Sequence, residues 1–233
     1  MTTKNHIVFD LLNSARGGKQ SDDENISLRQ VGFWVDNTRS LLIRRDLEKN
    51  RSINPDMIQT LGCVDVAPID ASECPCNPSG CTVLRTVEKI PNAIELHNKN
   101  LITRVGPALV GSIPFSLIPY SRAQFAGSNR FTRKFIKAFI HNGYIYLIGD
   151  NPMLTTLEKI SIDGVFENPE EVGGFSTCSG QPCYSDDDEY PISAWMIEPL
   201  KEMINKNNFR IAIAAPTDSS GNANHNVTPN QKQ

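Results

Sequence analysis

Phe135–His141 (FIKAFIH) and Tyr144–Ile148 (YIYLI) are two β-prone runs joined only by Asn142-Gly143. A two-residue connection closes best as a type I′ turn, which needs positive φ at both central positions, and Asn followed by Gly tolerates that conformation. The segment therefore predicts an antiparallel hairpin, and a mostly antiparallel sheet around it. Thr82–Val87, the alternating Cys63–Ala67 and Lys159–Phe166 read as further strands, the last with an Asp163-Gly164 turn. Phe209–Ala215 could close the sheet. Pro91, Pro107, Pro114 and Pro119 favour short strands and extended connections through residues 91–129.

Helical spacing marks the rest. Ser27 followed by Gln30 reads as a capping box. Leu28, Val31, Trp34 or Val35, Thr38, Leu41 and Leu42 then recur at the period of a helix over about residues 28–49. Ile7, Val8, Leu11 and Leu12 predict a short helix ended by Gly17-Gly18, and Asn54-Pro55 opens another over Asp56–Leu61. Pro191–Ile204 looks helical, with Pro199 marking a kink or a restart. The chain thus reads as α+β: a long N-terminal helix and a C-terminal helix packed on a mostly antiparallel sheet that contains the hairpin. Its divisions are an N-terminal arm (1–25), a helical segment (26–62), a β-rich domain (63–215) and a polar tail (216–233). The β-rich domain carries a cysteine loop (72–82), an acidic loop (167–190) and a helix (191–206).

With 233 residues, 39% hydrophobic and 21% charged at a net charge of -3, the composition excludes charge-driven disorder over most of the length. No apolar run approaches the roughly 18 residues of a membrane span. The opening MTTKNHIVFDLLNSARGG does not read as a secretory leader. Without one, the cysteines read as reduced thiols rather than a disulfide framework. Cys74, Cys76 and Cys81 lie in one Pro/Gly-rich stretch and Cys178 and Cys183 in another, with Cys63 apart. A structural zinc would need four thiolates drawn from both groups, yet neither shows C-x2-C spacing. Free loop thiols or a local disulfide fit better, and no cofactor or metal is expected.

Charge is unevenly placed. Residues 82–163 balance to +5 and residues 164–204 to -8, with Asp186, Asp187, Asp188 and Glu189 in one polar loop. Such a run suits either a solvated loop or a contact with a basic segment of a neighbouring copy, since complementary potentials set register and partner choice. Arg39, Arg44, Arg45, Lys49 and Arg51 crowd the second half of the long helix, where a solvated face with dipole compensation and an intersubunit role are both open. The candidate subunit-interface residues are Arg39, Arg44, Arg45, Asp186, Asp187 and Asp188.

The chemistry of an enzyme is missing from the pattern. There is no G-x-G-x-x-G, Walker-type loop, H-E-x-x-H or G-x-S-x-G, and none of His6, His97, His141 and His225 pairs at metal-ligand spacing. The sequence is not read as catalytic. Arg122–Lys137 interleaves five basic residues with Phe125, Phe131 and Phe135, which resembles a stacking groove for single strands. An accessory protein binding single-stranded nucleic acid through residues 122–137 is therefore the alternative function.

Four stretches, in order, resemble landmarks of virion structural proteins from tailed bacteriophages, particularly the crAss-like group infecting Bacteroides. They are Phe33–Asp46 (FWVDNTRSLLIRRD), Pro119–Phe131 (PYSRAQFAGSNRF), Ala138–Leu147 (AFIHNGYIYL) and Ile192–Ile204 (ISAWMIEPLKEMI). The resemblance implies a head-to-tail connector or tail-barrel ring subunit, assembled in the host cytoplasm and carried in the virion. It implies a twelve-fold ring of identical copies, contacts with the portal and neighbouring tail rings, transient passage of double-stranded DNA, and no membrane. A closed ring needs a heterologous interface, in which one face complements a different face of the next copy. The basic and acidic segments could supply that polarity.

Overall fold

The computed structural model describes residues 2–15, 26–50, 52–69, 82–97, 99–109, 111–126 and 130–209. Gly17-Gly18, Cys74, Cys76, Cys81 and residues 210–233 lie outside them, and with them the expected last strand and tail. The elements are α1 (Lys4–Ala15), α2 (Leu28–Asn50), β1 (Gln59–Pro68), β2 (Thr82–Thr86), β3 (Glu95–Leu96), β4 (Lys99–Asn100), β5 (Ile102–Pro107), β6 (Ser116–Leu117), β7 (Lys137–His141), β8 (Tyr144–Gly149), β9 (Lys159–Gly164), α3 (Pro169–Val172) and α4 (Ile197–Ile204). Seven strands form one sheet in the order β5-β9-β1-β2-β8-β7-β6, antiparallel except for the short β6–β7 pair. β3 and β4 make a separate two-stranded ribbon.

The sheet nearly closes on itself. Phe115 N–H donates to Val105 O of the β5 edge at 2.7 Å, and Ser116 N–H donates to Ile136 O beside β7 at 3.1 Å. One short segment thus touches both ends of the strand order, which leaves little unpaired edge. Between β7 and β8, Asn142 has φ 52° and Gly143 φ 80°, the two positive values a type I′ turn requires.

Helices cover one face. α1 buries Ile7, Val8, Leu11 and Leu12 against α2, and α4 adds Leu200 and Ile204 to the same core, with Ile94, Ile102, Val105, Ile160 and Ile162 from the sheet side. A second, small cluster of Val83, Ala123, Ala126, Phe139 and Ile148 lies apart from it. It holds down the Tyr120–Phe125 3₁₀ turn, where the basic and aromatic stretch begins.

Several local expectations are corrected. The helix foreseen at Asp56–Leu61 is a single 3₁₀ turn, Pro55–Met57, capped by Asn54 Oδ1 accepting from Asp56 N–H. β1 starts at Gln59, because its run buries alternate residues against β9 and leaves no helical face. Asp163-Gly164 is not a turn. Both residues are in β9, opposite Thr60 and Gln59, and a Cβ at Gly164 would sit 3.1 Å from Leu101 O, so the glycine marks a close approach of strands. Of the two readings of Pro199 the restart holds and the kink does not: a 3₁₀ turn over Ala194–Met196 ends where α4 begins, and Pro199 occupies the first turn of α4, where a missing N–H costs nothing. The apolar face of α2 is also displaced. Val31, Val35, Arg39, Ile43 and Leu47 form its buried stripe, whereas Leu28 and Leu41 are exposed.

Candidate subunit interface

The stripe on α2 has an arginine at its centre. Arg39 is wholly buried: its Nε donates to Pro191 O at 2.7 Å and its Nη1 to Phe166 O at 2.8 Å. Desolvation pulls its pKa below the ordinary guanidinium value. Arg39, expected at a subunit face, is instead an internal clamp on the chain entering and leaving residues 166–191. Arg44 reaches the same region from the surface, with Nη2 2.9 Å from Glu167 Oε1, while Ser40 Oγ donates to Glu167 O at 2.8 Å. Arg45 is exposed and Arg44 half-exposed, so of the three arginines only Arg39 is closed to solvent in the protomer.

Beside Arg39 runs a buried ionic chain. Lys4 Nζ donates to Asp36 Oδ2 at 2.7 Å and also bonds Glu170. Tyr190 Oη donates to Asp36 Oδ1 at 2.7 Å, and the Arg39 guanidinium lies 5.7 Å from the Tyr190 ring centre. Burial raises Asp36 above the ordinary carboxylate value, against the pull of Lys4 and Tyr190. Desolvation opposes the charge on Lys4, but its bonds to Asp36 and Glu170 outweigh it and hold the amine's pKa high. Lys4 shares a helical face with Ile7, Val8 and Leu11, so a charged residue on an apolar stripe was the available signal for this network.

The network fixes the acidic loop. Tyr184 and Tyr190 flank it and are both buried. Tyr190 N–H donates to Thr2 O at 3.0 Å, and Asn5 Nδ2 donates to Asp187 Oδ1 at 3.0 Å. Within the loop, Ser185 N–H donates to Asp188 Oδ2 at 2.8 Å and Asp188 N–H to Ser185 O at 2.9 Å. Asp187, Asp188 and Glu189 are exposed and Asp186 half-exposed, so the loop offers carboxylates from a pinned backbone. Exposed Glu170 and Glu171 of α3 extend the same charge.

The opposite charge sits on residues 120–126 and 130–135, with exposed apolar residues at 109 and 113. Arg122, Arg130, Arg133 and Lys134 are exposed there, as are Phe125, Phe135 and Tyr120. Leu109 is 77% exposed, Ile113 86% and Phe131 85%. Phe125 and Phe131 line one hollow with Arg122, Arg130 and Lys137, and exposed apolar side chains rimmed by charge are the mark of a protein-binding surface. Phe139, by contrast, is buried and stacks on Tyr146 with centroids 5.1 Å apart.

Cysteine chemistry departs from the sequence expectation. Cys63 of β1 and Cys178 form a disulfide with Cα atoms 5.1 Å apart, bridging 115 residues of chain, where reduced thiols or a local bond were expected. The bond ties the residue 176–183 loop to the open side of β1, helped by Cys63 N–H donating to Ser176 O at 3.3 Å. Cys183 forms no disulfide among the described residues, and Gly62 N–H points at its sulfur at 3.4 Å. Among the described residues no cluster of His, Cys, Asp and Glu could hold a metal, and no helix is long and apolar enough to cross a membrane.

Comparison with known proteins identifies the family. A family model described as phage tail ring protein 2 matches residues 6–231. Ring protein 2 of Bacteroides phage crAss001 is 28% identical over 225 residues, covering 95% of this chain and 96% of that protein.

Proposed function

The chain belongs to the phage tail ring protein 2 family and is a structural ring protein of the virion, and on that premise we propose how the ring closes and what it encloses. Copies join head to tail, with the basic lobe of one against the acidic surface of the next, so that a single heterologous contact repeats around the circle. Twelve copies close the ring at the head-to-tail junction, in contact with the portal and with neighbouring tail rings. Double-stranded DNA passes through the lumen during packaging and ejection. Arg45 and Asp186–Asp188 contribute to the contact directly, while Arg39 and Arg44 hold the backbone that presents the acidic loop.

The observation that carries this reading is the family match over residues 6–231 in a chain with one pinned acidic loop and one exposed basic, aromatic lobe. Quantitative mass spectrometry of purified, nuclease-treated virions tests it, by scaling this chain against the portal protein. One copy per portal subunit is the expected result. Native mass spectrometry of the assembled protein then counts the subunits, with twelve expected. A ratio far from one removes the portal-matched connector, and absence from particles removes the virion assignment of this chain.

A further inference from the structure

The acidic loop is one wall of a cleft of about 700 Å³, whose other wall is the Pro55–Met57 turn and the start of β1. Gln59 lines this cleft at 8% exposure, and neither its Nε2 nor its Oε1 has a hydrogen-bond partner among the described residues. The Tyr184 hydroxyl, which lines it too, is likewise buried and without a partner among them. Each buried polar group without a partner keeps its full desolvation penalty. Both side chains line one cleft, and rotating them to bring their polar atoms to its surface calls for a group that both donates and accepts, next to one that accepts from a phenol. A peptide unit offers that combination.

The remaining lining narrows the occupant. Pro55, Ile58 and Ile197 give an apolar floor, and Asp56, Asp188 and Glu189 give an acidic rim. An apolar or aromatic side chain flanked by cations fits such a seat. The protein itself carries that pattern at Arg130–Phe135 (RFTRKF), where Phe131 is 85% exposed and Arg130, Arg133, Lys134 and Phe135 are exposed around it.

We propose that the cleft between Gln59 and the acidic loop is the seat for the basic, aromatic lobe of a neighbouring copy. A main-chain peptide of that lobe pairs with the Gln59 amide, a phenylalanine enters over Ile58 and Ile197, and arginines meet Asp188 and Glu189. The inference rests on the ring reading above and assigns its contact to one place. It makes Gln59 a specificity residue of the interface, because a partner without a free peptide group there leaves the amide buried and unpaired.

Gln59→Leu in the full-length chain separates the two roles this residue could have. Removing both orphaned atoms leaves the isolated protomer as stable or more stable, whereas losing the peptide contact weakens assembly. The expected result is an unchanged or raised thermal midpoint together with at least a ten-fold rise in the concentration needed for assembly, read by sedimentation velocity. Wild-type assembly with a raised midpoint overturns the proposal, and means that water alone meets the amide. A second readout does not depend on that variant: a benzophenone amino acid at exposed Ala194, on the cleft lining, irradiated in assembled mixtures of light and heavy nitrogen-labelled protein. Crosslinks between copies to residues 120–137 are expected, and crosslinks confined to one copy or to other segments overturn it. A wild-type chain that stays monomeric at every concentration overturns the ring reading as well. Intact rings with no crosslink into 120–137 overturn the cleft assignment alone.

Discussion

Lys4 Nζ and Asp36 Oδ2 lie 2.7 Å apart beneath the surface, joining the first turn of α1 to α2, with only 4% of the lysine side chain exposed. Removing one partner of a buried ion pair leaves the other charge uncompensated, which costs about 3–5 kcal/mol. Lys4→Met is therefore expected to lower unfolding stability by that amount in urea denaturation. Adding Asp36→Asn recovers much of the loss, because a neutral amide is cheaper to bury than an unpaired carboxylate.

The three arginines of α2 should separate by experiment as they do by position. Arg39→Ala strands two carbonyls, Pro191 O and Phe166 O, that a buried guanidinium now satisfies, and is expected to cost about 3–5 kcal/mol. Exposed Arg45→Ala is expected within about 0.5 kcal/mol of the parent. Equal effects in denaturation would contradict the internal role of Arg39.

The Cys63–Cys178 bond closes a loop of 115 residues. On the chain-entropy account such a closure contributes about 4–5 kcal/mol, and about 2–4 in typical measurements. Cys63→Ser with Cys178→Ser is expected to lower stability by about 2–4 kcal/mol. Alkylation before reduction should spare both residues and modify Cys183, as peptide mass spectrometry would read directly.

Asp10 of α1 and Lys201 of α4 meet at 2.5 Å. The hydrogen bond from Lys201 holds the Asp10 carboxyl below its ordinary value of 3.8. A group whose folded pKa is depressed stabilises above its unfolded value and loses that contribution as pH falls through its folded value. The difference between wild type and Asp10→Asn is thus expected to be full at pH 5 and to shrink as pH falls below the ordinary carboxylate value of 3.8, staying within about 1 kcal/mol because Asp10 is exposed. Denaturation midpoints across that range check the sign.

These residues also show what the sequence made legible. The antiparallel sheet could be read because strand alternation and paired turn residues are local signals, and Asn142-Gly143 carries the two positive φ values in its own chemistry. Arg39 was misassigned because an arginine is charged in any sequence, and only the stripe Val31, Val35, Arg39, Ile43, Leu47 reveals that it faces inward. Leu28 and Leu41 drew attention to the wrong face for the same reason: a helix with apolar residues on more than one side has no unique core stripe until its neighbours are placed. Cys63 and Cys178 are 115 residues apart, and a pairing at that distance has no local signature. Gln59 falls inside the short helix expected over Asp56–Leu61, and nothing local marks it as the buried first residue of β1. Its importance lies wholly in what surrounds it.

Charge pairing across the proposed contact should appear in salt dependence. Asn at positions 186–188 keeps acceptors for Ser185 N–H and the Asn5 amide, so the triple change Asp186→Asn, Asp187→Asn and Asp188→Asn removes charge while leaving the loop its anchors. Exposed charges act over about 10 Å at 0.1 M salt and about 3 Å at 1 M. The variant is therefore expected to need several-fold more protein than wild type to assemble at low salt, and to converge on wild type at high salt. Because buried Tyr184 and Tyr190 hold both ends of the loop, its thermal midpoint should change little. Assembly unchanged at low salt would mean that the lobe and the loop do not face each other. A loss that persists at high salt would mean that shape or hydrogen bonding, through groups such as Gln59, carries the contact instead.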